Sequence, residues 1–247
     1  MKSHNLHLTG ANLEQSKDEG LFLLIDKPFG YSSAQVVNIL KKRLNIKKAG
    51  HSGTLDPNAT GLMIICTGKK TKELNNLLGV DKEYEGVLIL GQKTKSFDTE
   101  TEVYDAQSIA GITEVQIRLT AVKFTGEIEQ LPPMYSAVKH KGRPLYKYAR
   151  KDKEIERTAR KVLISEFEIL KINLPEVTFR VSCSKGTYIR TLANDFGDSL
   201  GVGAYLKELR RTKIGEYDIE NSEELDKLIE RVTSFKIAEN KLQQSVI

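Results

Sequence analysis

Asp56 stands where chemistry is most readily built, in the stretch Gly50-His51-Ser52-Gly53-Thr54-Leu55-Asp56-Pro57-Asn58-Ala59-Thr60-Gly61. A carboxylate can attack an electrophilic carbon or take up a proton. Pro57 fixes its own φ and pushes Asp56 out of the helical region. Gly50, Gly53 and Gly61 permit backbone shapes that residues with a Cβ resist. Behind the loop, Leu62 to Cys66 is an apolar run with the length of a short buried strand. A constrained loop standing on a rigid strand is a sound way to aim a catalytic carboxylate. The same residues also describe an ordinary Asp-Pro turn. Two further polar groups sit in patterned segments, Tyr84 and Arg190. On propensity alone, a Tyr in a strand packs and an Arg early in a helix lies at the surface.

These groups need a frame. Leu21 to Ile25 predicts a buried strand running into a Pro/Gly turn at residues 26–30. Ser32 or Ser33 can cap a helix whose apolar face is Val36, Val37, Ile39, Leu40 and Leu44. The pattern predicts a helix over 69–78, with Leu74, Leu77 and Leu78 inward, and a strand over 83–90. A polar turn follows at 91–98, a helix at 113–122 and a strand at 124–128. Pro132-Pro133 is stiff and extended. Strands at 162–172 and 177–184 lead into a strand-to-helix turn at 183–192, and the helix continues to Leu200. Asn221 onward reads as an amphipathic helix and a tail. Composition supports an α+β class with one core.

With 39% hydrophobic and 29% charged residues, the 247-residue chain can bury a core of ordinary size. It has no run of about 20 apolar residues to span a bilayer and no apolar signal-peptide core, so a cytoplasmic protein is expected. Cys66 and Cys183 fit neither a disulfide framework nor a zinc spacing. The four histidines are scattered. There is no phosphate-binding glycine loop and no dinucleotide fingerprint, so no metal or cofactor is expected. The net charge of +5 says little alone. Its distribution says more. Residues 139–161 hold ten Lys and Arg against three Asp and Glu, whereas residues 218–247 are acidic. In the middle, Lys139, Arg143, Lys147 and Arg150 alternate with Tyr146 and Tyr148. Bases can hold phosphates there while tyrosines stack on unpaired nucleobases. A solvated helix with Leu145, Tyr146 and Tyr148 packed inward fits the same pattern.

The stretch around Asp56 resembles the catalytic motif of the bacterial tRNA pseudouridine-55 synthases, the TruB family, Gly-His-x-Gly-x-Leu-Asp-Pro-x-Ala-x-Gly. Four more segments match in the family's order: Asp26-Lys27-Pro28-x-Gly30-x-x-Ser33, Lys82-x-Tyr84, Gly91-Gln92-x-Thr94-x-x-x-Asp98, and Ser184-Lys185-Gly186-Thr187-Tyr188-Ile189-Arg190-Thr191. The resemblance covers residues 20–217. It implies the pseudouridine-synthase fold, a long mixed, mainly antiparallel sheet flanked by helices with a central RNA-binding cleft. Residues 1–19 would be a flexible arm, 20–217 the catalytic domain with a basic thumb-like insertion at about 129–161, and 218–247 a short acidic helix and tail without the family's further PUA module.

The implied reaction is isomerisation of uridine-55 in the T loop of tRNA to pseudouridine. The N1–C1′ bond breaks, the base turns, and C5 bonds to C1′, with no redox change. Asp56 would be the nucleophile and Arg190 its guanidinium partner. Tyr84 would stack on the target base and move the C5 proton. Attack at C1′ and proton abstraction to a glycal both fit. Lys27 would orient the motif loop, and Leu209 would line the base pocket or belong to the core. His51 would be a wedge in the T loop or a loop-anchoring hydrogen bond. Lys139, Arg143, Lys147, Arg150, Arg210 and Arg211 would contact RNA. The expected partner is the tRNA T arm, with no membrane, no required protein partner and a monomeric enzyme. A tRNA-folding chaperone and a guide-RNA-dependent, dyskerin-like synthase are the alternatives. A carboxylate-based hydrolase would need a second acid, which the matched motifs do not supply.

Overall fold

The computed structural model describes the backbone of residues 19–244. The arm expected at the N-terminus lies, but for residue 19, outside the described residues. The chain opens with β1 (Phe22–Lys27), α1 (Ser33–Leu44), β2 (Ala49–His51) and β3 (Ala59–Thr67), then a 3-10 turn (Gly68–Lys72) and α2 (Leu74–Leu78). Next come β4 (Lys82–Leu90), β5 (Gln92–Thr94), β6 (Val103–Ala106), α3 (Glu114–Lys123) and β7 (Gly126–Gln130). The basic segment holds β8 (Lys139–His140), β9 (Arg143–Pro144) and α4 (Tyr146–Ala149). It is followed by β10 (Arg160–Asn173), β11 (Glu176–Cys183), α5 (Ile189–Ser199) and β12 (Ala204–Ile214). The described chain closes with β13 (Tyr217–Asp218), β14 (Glu223–Glu224) and α6 (Leu225–Gln244). These elements form two compact units, one of residues up to Val80 and from Arg210 onward, the other Asp81–Leu209.

In the first unit β3 is the buried element. Leu62 to Cys66 are fully buried, as a continuous apolar run predicts. It pairs antiparallel with β1, from Phe22↔Cys66 to Lys27↔Gly61, and with β2, where His51 faces Ile65. Leu24, Leu62, Ile64, Cys66 and Ile214 form one core cluster, against which Leu74, Leu77 and Tyr217 pack. Ser32 caps α1 in a reciprocal capping box with Gln35, and Asn45 ends that helix in the left-handed region. Residues 223–232 join the unit by strand pairing and packing. The strand β14 pairs parallel with β1 (Ile25↔Glu223), and Leu225, Leu228 and Val232 of α6 are buried.

The second unit has the antiparallel order β4-β11-β10-β7. Tyr84 faces Val181 across β4 and β11, and Ile128 faces Val162 across β7 and β10. Thr113 caps α3 in a second capping box with Gln116. Phe196 of α5 packs its ring against both Phe124 and Phe167. The pairing includes antiparallel neighbours and the parallel pair β1–β14, helices lie against the strands, and the mixed-sheet expectation is met.

Three expectations shift. The strand expected at 124–128 starts at Gly126, because Phe124 is the C-cap of α3. The helix expected over 69–78 is a 3-10 turn and a single α-turn, and Leu78 is exposed (48%). Residues 204–214, given no element from sequence, are a long strand whose charged residues hid its alternation.

Gly61 marks where β12 comes hard against β3. Its φ is +105°, and a Cβ on it would overlap the backbone N and O of Arg211. A non-glycine residue there meets both a disfavoured dihedral and a clash. Gly61→Ala is expected to destabilise the protein by at least about 2 kcal/mol, read as a lowered urea midpoint at unchanged slope; an unchanged midpoint would contradict the close approach.

Candidate active site

The loop carrying Asp56 is held at nearly every residue. The Ser52 N–H donates to Ile64 O (3.0 Å) and the Gly53 N–H to His51 Nδ1 (3.3 Å). Ser33 Oγ, fully inside the protein, accepts from Leu55 N (2.8 Å) and donates to Leu55 O (3.0 Å). The Ala59 N–H reaches Asp56 O (3.1 Å), closing a turn with Asp at its first position and Pro at its second. The turn that sequence suggested is therefore present, and it presents a half-buried Asp56.

Lys27 ends β1 directly beside this turn and is fully buried. Its Nζ donates to Pro28 O (2.9 Å), Tyr31 O (2.7 Å) and Pro57 O (3.3 Å). Three acceptors use all three ammonium protons. Pro57 O also accepts from Gly30 N (2.9 Å), so the family-like segment 26–33 and the Asp-Pro turn are one hydrogen-bonded assembly. Burial pushes the Lys27 ammonium down to about 8, opposed by the nearby Asp56 carboxylate and helped by Arg211. Lys27 is thus charged at neutral pH.

His51 is half-buried, and burial lowers its pKa. Its Nδ1 accepts the Gly53 N–H, a hydrogen bond within the loop. Arg210 makes a two-pronged pair with Asp26 (Nη2–Oδ2 2.6 Å, Nη1–Oδ1 3.2 Å) and remains partly open to solvent. Arg211 departs from expectation. It is 1% exposed, and its guanidinium donates to Leu62 O (2.8 Å) and Gly53 O (3.3 Å). A side chain so enclosed offers no surface to a phosphate, so its place as an RNA contact is withdrawn.

In the second unit Arg190 lies in the first turn of α5, after the extended N-cap Tyr188. It is buried rather than at the surface. Its Nη1 donates to Ser96 O (3.2 Å), its Nη2 to Tyr135 O (2.9 Å), and its Nε lies 3.5 Å from Asp98 Oδ2. Asp98 is itself buried, and its position in the Gly-Gln-x-Thr-x-x-x-Asp motif was the sequence signal for it. Gln130 left no such signal. It is buried, its Nε2 donates to Tyr188 O (3.1 Å) and its Oε1 accepts from Tyr188 N (2.8 Å), fixing the entry of α5. Tyr84 is buried in β4, and Leu209 in β12 is half-buried.

The basic insertion presents Lys139, Arg143, Lys147 and Arg150 to solvent, with Leu145 buried. Arg143 sits over the Tyr148 ring (5.1 Å) and Arg150 over the Tyr146 ring (5.5 Å). Arg150 also pairs with Glu100 (2.7 Å). Bases and tyrosines therefore interleave in space as they do in sequence. Among the described residues no helix is long and apolar enough to cross a membrane.

Comparison with known proteins agrees with these motifs. Residues 41–189 match the N-terminal domain of the TruB family pseudouridylate synthases, and residues 190–247 match the tRNA pseudouridylate synthase B C-terminal domain. The tRNA pseudouridine synthase B of Flavobacterium johnsoniae is 52% identical over 83% of this chain and 92% of its own length. That of Chloroherpeton thalassium is 48% identical over 87% and 91%. Among solved structures, the archaeal box H/ACA sRNP Nop10-Cbf5 complex is similar with a TM-score of 0.68 and 30% identity, over 91% of this chain. The chain spans 57% of the length of that protein. The chain belongs to the TruB family of pseudouridylate synthases.

The depressed Lys27 ammonium sets a pH dependence of stability. Below about 8 both folded and unfolded chains hold the proton. Between about 8 and the ordinary 10.5 only the unfolded chain holds it, so this term favours the folded state as pH rises and is lost as pH falls through about 8. Urea titrations of wild type and Lys27→Met across pH 7–10 are expected to show the wild type gaining relative stability at the alkaline end. Parallel curves would contradict the burial of this charge.

Proposed function

We propose that this chain isomerises uridine-55 in the T loop of tRNA to pseudouridine in the cytoplasm, acting alone, as a monomer and with Asp56 as nucleophile. The observation that carries the reading is the Asp56 turn, in which every fixed residue of the family motif is present and Lys27 holds the carbonyl of the next residue. The curated relatives at 48–52% identity are named for this substrate class.

The target base must leave its stack, at a cost of a few kcal/mol. Asp56 acts as the carboxylate, and a fixed loop lowers the cost of orienting it against the ribose. The N1–C1′ bond breaks, the base turns, the C5–C1′ bond forms, the C5 proton leaves and N1 gains one. Atoms and electrons balance without a co-reactant. Tyr84 stacks on the base and takes part in removing the C5 proton, and Arg190 supplies the guanidinium partner of the nucleophile. Loss of the Lys27 proton above about 8 leaves two N–H groups for three carbonyls, so the rate falls at alkaline pH. Lys139, Arg143, Lys147 and Arg150 hold RNA phosphates while Tyr146 and Tyr148 offer stacking faces.

Tritium release from C5-labelled uridine in an unmodified tRNA transcript tests the proposal. Wild type is expected to release label without cofactor or partner, and release is lost when the T-loop uridine is replaced. Asp56→Asn is expected to bind the transcript and release nothing. Tight tRNA binding by wild type without release would refute the stand-alone enzyme.

A further inference from the structure

We propose that Arg211 is a positioning residue for the reaction, tying the loop that aims Asp56 to the buried strand behind it. The proposal rests on the reading of Asp56 as the nucleophile.

A fully buried guanidinium is costly unless its donors are met. Here they meet backbone carbonyls in two different elements. The Nε donates to Leu62 O in β3, and Nη2 donates to Gly53 O in the loop, three residues before Asp56. The guanidinium is planar and its donors form a rigid fork, so one group fixes the spacing of these two carbonyls. A lysine at this position would place its charge on one ammonium at the end of a flexible stem and would not reproduce the planar fork that spans these two carbonyls.

Two glycines fit this arrangement. Gly61 lets the Arg211 backbone come against β3, where a Cβ would overlap it. Gly53, at φ +139°, has Arg211 Nη1 3.7 Å from where its Cβ would sit. On the other side of Asp56, Lys27 Nζ holds Pro57 O. Residues 53–57 are therefore gripped at both ends by buried cations, each acting on a backbone carbonyl. His51 belongs to the same arrangement through Gly53, whose N–H it accepts while Arg211 takes the carbonyl of that residue.

The charge of Arg211 is felt nearby as well. It pushes the Lys27 ammonium down, against Asp56 and Asp26, which push it up. It also lowers the pKa of His51. A residue that only filled core volume would do neither.

The test compares wild type, Arg211→Met and Arg211→Lys in tritium release, tRNA affinity and thermal midpoint. In Arg211→Met, kcat is expected to fall about tenfold or more while KM and the tRNA Kd stay within about twofold. Arg211→Lys is expected to recover only part of kcat, because it keeps the charge and loses the fork. In Arg211→Met the alkaline fall in rate is expected to move to higher pH, since Lys27 then faces only Asp26 and Asp56. A folded Arg211→Met protein with wild-type kcat would overturn the proposal. So would a rise in KM and Kd at unchanged kcat, which marks an RNA contact. If Arg211→Met does not fold, Arg211→Lys decides by the same split, and wild-type kcat in it overturns the proposal. Silence of the wild type itself would instead refute the reading of Asp56 as nucleophile and the proposal with it.

Discussion

The grip of buried cations on backbone carbonyls of the Asp56 loop is the constraint on which the first unit depends. A carboxylate on a free loop would have to be ordered at each turnover, at an entropic cost set by every loose residue. Here Lys27 and Arg211 are both fully enclosed and spend their donors on carbonyls rather than on solvent. The glycines follow from this grip, since Gly61 must lack a side chain for Arg211 to approach β3. So does the core behind it, because Leu62 offers its carbonyl to Arg211 and its side chain to the apolar cluster.

The second unit also buries a cation against backbone carbonyls. The guanidinium of Arg190 is held by the carbonyls of Ser96 and Tyr135 and lies against the Asp98 carboxylate. Gln130 then completes the backbone hydrogen bonds of Tyr188, much as a neighbouring strand would. In both units the polar groups are buried and their hydrogen bonds are directional. Such networks specify one arrangement more sharply than apolar packing does. The basic insertion is built differently. Its bases are exposed and its tyrosines lie beneath guanidinium groups, which suits a ligand that brings its own charge.

Much of this was legible in the sequence where one local rule dominated. The run Leu62 to Cys66 is apolar throughout and became the buried strand. Ser32, one of the two serines that could cap the first helix, became its N-cap. Lys27 was singled out only through the resemblance of its segment, and its Nζ lies within hydrogen-bond reach of Pro57 O. The failures share a cause. Strand β12 carries Lys207, Glu208, Arg210, Arg211 and Lys213, and no period-two reading survives that many charges. Arg211 looked like a surface base because burial of a guanidinium is decided by carbonyls far away in sequence. Gln130 was invisible for the same reason, since its partner is Tyr188. Leu78 was expected inward from helical spacing, and the helix ended too soon to make that spacing apply.

The most direct test of the account is a crystal structure of the protein with a T-arm stem-loop whose target uridine is replaced by 5-fluorouridine, which has no C5 proton to lose. The account predicts that the target base is out of its stack and that an Asp56 carboxylate oxygen lies within about 3.5 Å of the target ribose, with Pro57 O still on Lys27 and Gly53 O still on Arg211. A ribose approached by another carboxylate, with Asp56 turned away, would contradict it.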